Sequence, residues 1–284
     1  HAFQGKPRCD WVSGQLPVLS DPRSVQELEQ PIHMRRAVGA LASLAIALAA
    51  ETCDDRNASL RIPRPRREDL QYVHFDEAGT ADAGEGRVAR LARDILLPTE
   101  VDVLMDAVLT FEPDPKHLDS TDGLPAYEMY IRHKGVDTHD AAAILPAIEE
   151  RFASYLTEHY GCADCYICSV LLRRYQASER VTVKTHFDRM AYVTAVASLN
   201  PAEFDGGLFL QRTHAAASRE FFATSGTDAA FHSYDLNHGV DVLEGRRVSA
   251  VFWITDTHAS CRDDVSPWCS RGKLQLLIAV LHAP

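Results

Sequence analysis

The second half of the chain is a series of short, strand-like segments separated by turn residues, and this pattern limits the fold more than any other feature. Each segment is rich in β-branched or aromatic residues, which predicts a sheet of many short strands. The predicted strands cover residues 166–175, 192–199, 207–211 and 248–254. Two amphipathic helices are predicted ahead of them, because apolar residues recur at helical spacing from Val101 to Val108 and from Ile144 to Leu156. Helices followed by strands predict an α+β domain whose helices brace one face of a β-sandwich or jelly roll.

The composition is that of a globular protein with an acidic surface. Apolar residues make up 46% of the 284 residues and charged residues 24%, enough for one large core or two modest ones. The formal net charge is −11, from 29 Lys and Arg against 40 Asp and Glu. Because such a surface repels phosphate backbones, we expect no nucleic-acid partner. We also expect no membrane-spanning segment, because no apolar run reaches the roughly 20 residues that a spanning helix needs.

The first part of the chain differs in character from the rest. Residues 1–87 combine proline, charge and an alanine-rich segment, and we interpret them as a partly helical N-terminal extension. Small residues cluster at residues 78–87, which predicts a linker at the end of this extension. The main domain is accordingly predicted at residues 88–284.

One segment of the extension leaves the cellular compartment open. Residues 34–53 contain Met-Arg-Arg, an apolar run rich in alanine and then small residues, an order typical of a secretory signal. The segment begins well inside the chain, however, so an alanine-rich helix packed on the domain is the favoured interpretation. Because the sequence starts at His1 rather than Met, we expect a fragment, a processed form or a tagged form. Both the cytoplasm and the secretory pathway stay open as locations.

The cysteines allow more than one interpretation. The chain has seven, an odd number that cannot all pair internally. The spacing of Cys162, Cys165 and Cys168 is that of a zinc or iron–sulfur site. The run leads directly into an apolar strand, however, where cysteine packs as a small hydrophobic residue, and we favour that interpretation. Cys261 and Cys269 flank a short loop, and a disulfide between them is left open for an oxidising compartment.

Three residues are the principal candidates for chemistry. His186 and Asp188 are two positions apart in a strand-like segment, a spacing that points both side chains to the same side. His238 opens another strand-like stretch farther along the chain. Two imidazoles and one carboxylate on one side of a metal leave the opposite side open. This donor set suits Fe(II) that must bind a cosubstrate and oxygen together.

A pair of arginines follows the distal histidine on a predicted strand. Because alternate residues of a strand share a face, Arg247 lies on the same face as Ser249, Val251 and Trp253. Arg246 then points toward solvent or a surface carboxylate. A fixed guanidinium near the metal is a natural partner for the far carboxylate of a bidentate oxo-acid ligand. We therefore select Arg247 as the anion-binding residue.

Taken together, these motifs resemble the 2-oxoglutarate and Fe(II)-dependent dioxygenase superfamily, specifically its prolyl 4-hydroxylase-like branch. The matching segments are His186-x-Asp188, Tyr192-Val193-Thr194, Ser198-Leu199-Asn200, Phe204-Asp205-Gly206-Gly207, His238-Gly239-Val240 and Gly245-x-Arg247. Their order and spacing agree with the superfamily over approximately residues 90–258. The resemblance implies a double-stranded β-helix (jelly-roll) core, braced by helices, with a metal between its two sheets.

The resemblance also implies the cofactors and their ligands. His186, Asp188 and His238 would hold Fe(II), and Arg247 would bind the C5 carboxylate of 2-oxoglutarate. O₂ would be the second cosubstrate and ascorbate the reductant. No catalytic residue beyond the metal ligands is implied.

Four further residues complete the predicted site. By the same resemblance, Tyr175 would contact the cosubstrate and Trp253 would close the wall of the pocket. Lys184 and Arg189 flank the predicted ligands and are candidate contacts for an anionic substrate, although exposed charges without such a role are more common.

The activity implied by the resemblance is hydroxylation of an unactivated C–H bond, with a prolyl or other amino-acid residue of a peptide as the expected substrate. The alternative is a small-molecule oxygenase of the same superfamily that hydroxylates, desaturates or cyclises a free amino acid or natural product. A non-catalytic jelly-roll binding module is disfavoured by the intact His-Asp-His set and Arg247. An open groove with exposed aromatic residues would indicate a peptide substrate, and a closed lid would indicate a metabolite.

Overall fold

A computed structural model describes residues 65–84, 86–112, 116–119, 123–212, 219–258 and 261 of the protein. The segment at residues 34–53, for which a secretory signal and a packed helix are the two interpretations, lies outside the described residues. So do most of the predicted N-terminal extension and Cys269.

Two α-helices and thirteen short strands make up the described part of the chain. Helix α1 spans Pro98–Thr110 and helix α2 spans Leu145–Tyr160. The strands are β1 Gln71–Tyr72, β2 Thr80–Gly84, β3 Arg87–Ala92, β4 Glu128–His133, β5 Val136–Asp137, β6 Tyr166–Tyr175, β7 Thr182–His186, β8 Val193–Ser198, β9 Phe204–Leu210, β10 Glu220–Phe221, β11 Ala229–Ser233, β12 His238–Gly245 and β13 Arg247–Thr255. The predicted α+β class is therefore confirmed.

Local sequence explains where the two helices begin and end. Helix α1 starts at a proline, whose fixed φ suits the first turn. The Glu100 carboxylate accepts a hydrogen bond from the Leu97 backbone N–H at 2.8 Å. Helix α2 ends at Gly161, which adopts a φ of 64° that side-chain-bearing residues rarely adopt. Neither helix of this described region is long and apolar enough to cross a membrane.

The strands form two sheets. The smaller sheet has the order β1-β10-β9-β12-β7, and the larger has the order β2-β3-β11-β8-β13-β6-β4-β5. Apart from the parallel pair β1 and β10, the strand pairs are antiparallel. From β6 onward the chain alternates between the two sheets, except that the consecutive strands β9 and β10 are both in the smaller one. The larger sheet contains β6, β8, β11 and β13, and the smaller contains β7, β9, β10 and β12.

The apolar residues form two separate cores. In the first, helix α2 packs on the larger sheet, where the Phe152 ring lies edge-on to Phe231 at 5.1 Å and to Phe252 at 5.2 Å between centroids. The second core joins residues of both sheets and therefore lies between them. Its members include Val183, Leu208 and Val240 of the smaller sheet and Val196 and Ala230 of the larger.

A hairpin of β2 and β3 corrects the linker predicted at residues 78–87. Half of that segment is strand β2, which pairs antiparallel with β3. Ala81 and Ala83 are buried while Asp82 between them is exposed, the alternation of a strand. The buried side chains are methyl groups, so the sequence pattern is that of a small-residue loop. Since the sheets begin at Gln71, they include residues that we assigned to the N-terminal extension.

Two disulfides change the interpretation of the cysteines. Cys162 pairs with Cys165, and Cys168 pairs with Cys261 across 93 residues. The suggested bond from Cys261 to Cys269 is therefore wrong. The zinc or iron–sulfur alternative is also wrong, because all three of its sulfurs are in disulfides. Cys168 is in β6, and Cys261 follows the end of β13. The long-range pair forms because these two strands are neighbours in the larger sheet.

Candidate metal centre

The structure brings His186, Asp188 and His238 together between strands β7 and β12. His186 ends β7 and His238 begins β12, and the two are opposite each other in the strand pairing. Nε2 of His186 lies 3.6 Å from Oδ1 of Asp188, and Nε2 of His238 lies 3.4 Å from Oδ2. The three donor atoms all lie within 4.8 Å of one another, so one ion can be shared among them.

A β-bulge turns His186 toward the space between the sheets. Val240 of β12 pairs with Val183 of β7, and His238 pairs with His186. The step between these pairs is two residues along β12 and three residues along β7. The extra residue lies in β7. Val183 is in the core between the sheets, and in a regular strand a residue three positions away would face the opposite side. The bulge therefore allows both Val183 and His186 to face inward.

Hydrogen bonds fix the orientation of the three donor groups. Nδ1 of His186 donates to the Lys184 carbonyl at 2.8 Å, and Nδ1 of His238 donates to the Leu236 carbonyl at 3.0 Å. Because a carbonyl can only accept, each ring carries a proton on Nδ1, which leaves Nε2 as the nitrogen available to a metal. The Thr194 hydroxyl donates to Oδ2 of Asp188 at 2.7 Å. All three groups are therefore held in place before a ligand binds.

Burial and neighbouring groups set the protonation states that a metal requires. Burial alone would raise the pKa of Asp188, but His238, His186 and the Thr194 hydroxyl hold it below its usual value. Burial, followed by the proximity of His232, lowers the pKa of His238 to about 3. At neutral pH Asp188 is a carboxylate and His238 is a neutral imidazole. This donor set fits a divalent first-row metal such as Fe(II).

Arg247 is a buried cation on the face of the larger sheet that also holds Thr194, the hydrogen-bond partner of Asp188. Its guanidinium donates to the Ser198 hydroxyl at 3.2 Å and to the Ser249 hydroxyl at 3.1 Å. It also lies over the rings of Tyr175 and Phe204, at 5.4 and 5.8 Å from their centroids. Burial lowers the pKa of Arg247 to about 10, so it stays charged at neutral pH. Its side-chain hydrogen bonds go to serine hydroxyls, and within the described residues no carboxylate pairs with it.

Gly207 provides the space that this arginine occupies. A Cβ atom at this position would lie 2.7 Å from the Phe204 ring and 3.4 Å from Nε of Arg247. Its φ of 102° also disfavours any side chain. The second glycine of the Asp-Gly-Gly motif is thus part of the arginine site.

The neighbouring Arg246 has the opposite environment. Its Nη2 pairs with Oε2 of Glu203 at 3.0 Å, and both side chains are substantially exposed. The prediction that Arg246 points outward to a surface carboxylate is confirmed.

Tyr175 and Trp253 lie on the same side of the larger sheet as Arg247. Tyr175 is buried and pairs directly with Arg247 between β6 and β13. Trp253 is half-buried, pairs with Thr194 of β8 and lies 6.1 Å from the Tyr130 ring. Tyr175 is therefore near the arginine, and Trp253 is at the level of the His-Asp-His cluster.

The other two predicted residues, Lys184 and Arg189, are exposed. Lys184 follows Val183, which faces the inner core, so its side chain leaves the strand on the opposite face. The structure does not bring either side chain into the cluster, and their contact with substrate stays a prediction.

Sequence reasoning missed a third histidine, which lies beside the cluster. His232 of β11 is fully buried, and its ring lies 4.3 Å from that of His238 between centroids. Burial lowers its pKa. The available signal was a single histidine in the segment Ala229–Ser233, which was not recognised as a strand.

A group of buried charges next to Tyr175 was also missed. Arg173 contacts Asp119 at 2.9 Å and Glu128, and Arg180 contacts Asp119 at 3.0 Å. Arg173 also donates to the Tyr175 hydroxyl at 3.4 Å. These contacts attach the segment around Asp119 to the larger sheet beside the arginine site.

Comparison with solved structures identifies the fold. An oxidoreductase of the 2OG-Fe(II) oxygenase family from Burkholderia pseudomallei matches with a TM-score of 0.51 and 20% identity, over 68% of this chain and 98% of that chain. The viral collagen prolyl hydroxylase of Paramecium Bursaria Chlorella virus-1 matches with a TM-score of 0.42 and 16% identity, over 60% and 97%. The α-ketoglutarate-dependent epimerase SnoN from nogalamycin biosynthesis matches with a TM-score of 0.43 and 15% identity, over 59% and 78%. No protein-family profile and no curated protein matches the sequence. The first match shows the fold, and this is the fold that the resemblance in the motifs implies.

Proposed function

We propose that this chain, which has the fold of the 2-oxoglutarate-Fe(II) oxygenases, is an Fe(II)- and 2-oxoglutarate-dependent dioxygenase, and that its alternating strands form a double-stranded β-helix. The observation that carries the proposal is Arg247, which is buried and has no carboxylate partner among the described residues. It lies on the sheet face that also holds Thr194, the hydrogen-bond partner of Asp188. A metal cluster alone would suit many functions. A metal cluster and a separate buried cation suit a ligand that chelates the metal and carries a second negative charge.

The metal ligands in this proposal are His186, Asp188 and His238. Bound Fe(II) would supply the activation of O₂ and the coupled oxidative decarboxylation of 2-oxoglutarate. The chain itself contributes three preset donor atoms. Three protein donors would leave other positions on a bound ion for non-protein ligands.

The cosubstrate would lie between the metal and Arg247. Thr194, which bonds Asp188, and Ser198, which bonds Arg247, are both on β8. Four strand residues correspond to roughly 13 Å, which leaves room for a short dicarboxylic acid between the two side chains. Arg247 would bind its far carboxylate, with the Tyr175 ring against the guanidinium.

The residues around the site shield it from bulk solvent. Asp188, His238, Arg247 and Tyr175 are all buried, so a bound dianion would exchange its hydration shell for fixed donors. In such surroundings charge-assisted hydrogen bonds are stronger than in water. The net charge of −11 makes this fixed cation more important, because the remainder of the protein repels an anion.

The substrate we propose is a prolyl or other amino-acid residue of a peptide, hydroxylated at an unactivated C–H bond. The half-buried rings of Tyr130 and Trp253 form an aromatic wall at the level of the metal cluster. Such a wall suits a compact aliphatic ring or side chain. A free amino acid or another small molecule is the competing substrate class.

The test is succinate release with Fe(II), 2-oxoglutarate, O₂ and ascorbate across matched prolyl peptides and free amino acids. We expect peptide-stimulated turnover that is lost in Asp188→Ala and kept in Asp82→Ala, a control at an exposed carboxylate of β2. Stimulation by free amino acids alone would favour the small-molecule class. Failure of the wild-type protein to bind 2-oxoglutarate in the presence of metal would contradict the whole proposal and favour a non-catalytic module.

A further inference from the structure

We propose that His232 is a positioning residue of the metal centre, and that its Nε2 accepts a hydrogen bond from a water molecule bound to the metal. The inference rests on the proposed metal site and adds a residue outside its three protein ligands. It is carried by where the ring lies, by the state of its two nitrogens and by its distance from the ligand set.

The ring of His232 faces the space between the sheets. On β11 it is flanked in the larger sheet by Ala89 of β3 and Thr194 of β8. Ala230, two residues earlier on the same face, belongs to the core between the sheets. The adjacent Thr194 is the residue that hydrogen-bonds Asp188. His232 therefore lies beside the metal ligands.

The two ring nitrogens of His232 have different environments. Nδ1 donates to the Ser233 carbonyl at 3.1 Å, so Nε2 carries a lone pair. Nε2 is buried and has no hydrogen-bond partner among the described residues. Buried polar atoms in folded proteins form hydrogen bonds to protein, water or ligand. An apolar side chain would fill the same space without needing a hydrogen-bond partner.

The partner of Nε2 is a ligand of the metal rather than the metal itself. The donor atoms that lie within 4.8 Å of one another belong to His186, Asp188 and His238, and His232 is outside this set. Its ring nevertheless lies 4.3 Å from that of His238. An acceptor at this position is suited to a protic ligand on the ion, and a metal-bound water donates strongly because the ion polarises it.

The experiment compares Co(II) binding by visible absorption and titration in the full chain. His232→Leu and His232→Phe remove the acceptor, and Phe becomes the informative variant if Leu does not fold. His232→Gln restores an acceptor oxygen. Phe231→Leu is the matched control, because Phe231 lies on the same strand and faces the helix-side core.

We expect His232→Leu and His232→Phe to change the Co(II) spectrum and to weaken Co(II) binding by about tenfold. His232→Gln should regain the wild-type spectrum. Phe231→Leu should lower the melting temperature and leave the spectrum unchanged. An unchanged spectrum in the Leu and Phe variants would overturn the inference about His232 and leave the proposed function standing. A loss of affinity as large as that of His238→Ala would also overturn it, because His232 would then be a direct ligand. If the wild-type protein binds neither Co(II) nor 2-oxoglutarate, the proposed function fails as well.

Discussion

His186 lies opposite His238 in the pairing of β7 with β12, and the centroids of the two rings are 4.5 Å apart. Nδ1 of each ring donates a hydrogen bond to the backbone carbonyl two residues earlier in the chain. Two ligands on hydrogen-bonded strands cannot move independently. The donor groups of the proposed metal site are therefore held together by the fold itself, and they do not have to be gathered when an ion binds.

A preformed site predicts that a metal stabilises the protein without changing its secondary structure. At a free Co(II) concentration one hundred times the dissociation constant, the free energy of unfolding should rise by about 2.7 kcal/mol. Urea unfolding with and without Co(II), together with far-UV circular dichroism, measures both effects. His186→Ala should show no stabilisation at the same concentration. A large gain of secondary structure on metal addition would contradict the preformed site.

Thr194→Val tests the support of the carboxylate ligand. The substitution keeps the shape of the side chain and removes the 2.7 Å hydrogen bond to Oδ2 of Asp188. Loss of such an outer hydrogen bond should weaken metal binding by about 10- to 100-fold. Calorimetric titration with Co(II) measures the change. Thr182→Val, an exposed position on β7, is the control and should bind like the wild type.

Arg247→Met separates cosubstrate binding from folding. Methionine fills a similar space without the charge. Since Arg247 is a buried cation with no carboxylate partner in the part of the chain that the structure describes, its removal should leave the melting temperature unchanged or higher. Loss of a charge-assisted contact of about 1.5–3 kcal/mol should weaken 2-oxoglutarate binding by about 10- to 150-fold. Arg246→Met is the matched control at the exposed neighbour. Equal affinities in the two variants would show that Arg247 does not bind the cosubstrate.

Local patterns in the sequence were sufficient where neighbours in the fold follow from periodicity. Strand alternation predicts opposite directions for the side chains of Arg247, the first residue of β13, and Arg246 just before it. In the structure Arg247 is buried and Arg246 pairs with Glu203. Helical spacing similarly predicts the packing face of α2, including Phe152. In both cases the direction of a side chain depends on its own element, which the sequence shows directly.

Features that depend on long-range pairing or on unusual residue sizes were not predictable in the same way. The Cys168–Cys261 disulfide joins residues 93 positions apart and follows from the β6–β13 pairing. Strand β2 was missed because its buried side chains are alanines, and His232 was missed because its strand is short. The bulge before His186 breaks the strand alternation and leaves no periodic signal.

The pH dependence of stability follows from the buried histidine His238. Its pKa is lowered to about 3 in the fold, whereas in the unfolded chain it takes up a proton below pH of about 6.5. Between these values the unfolded state binds more protons, so the free energy of unfolding falls as the pH falls. From pH 7 to pH 5 the loss for the metal-free protein should be about 2 kcal/mol. Below about pH 4 the lowered pKa of Asp188 adds to it. The free energy of unfolding can be measured with urea at several pH values for the wild type and for His238→Asn. It should fall less steeply with falling pH in the variant, and an equal pH dependence in the two proteins would contradict this assignment.

The two disulfides should differ in their contribution to stability because they close loops of different length. Cys168 and Cys261 are separated by 93 residues and Cys162 and Cys165 by three. On the chain-entropy scale the first bond is worth about 4 to 5 kcal/mol and the second about 2 kcal/mol. We therefore expect Cys261→Ala to lower the free energy of unfolding by about twice as much as Cys165→Ala. Guanidinium unfolding under non-reducing conditions measures both. Under reducing conditions the two variants should approach the stability of the reduced wild type, and a difference that persists there would trace the effect to packing around Cys261 rather than to loop closure.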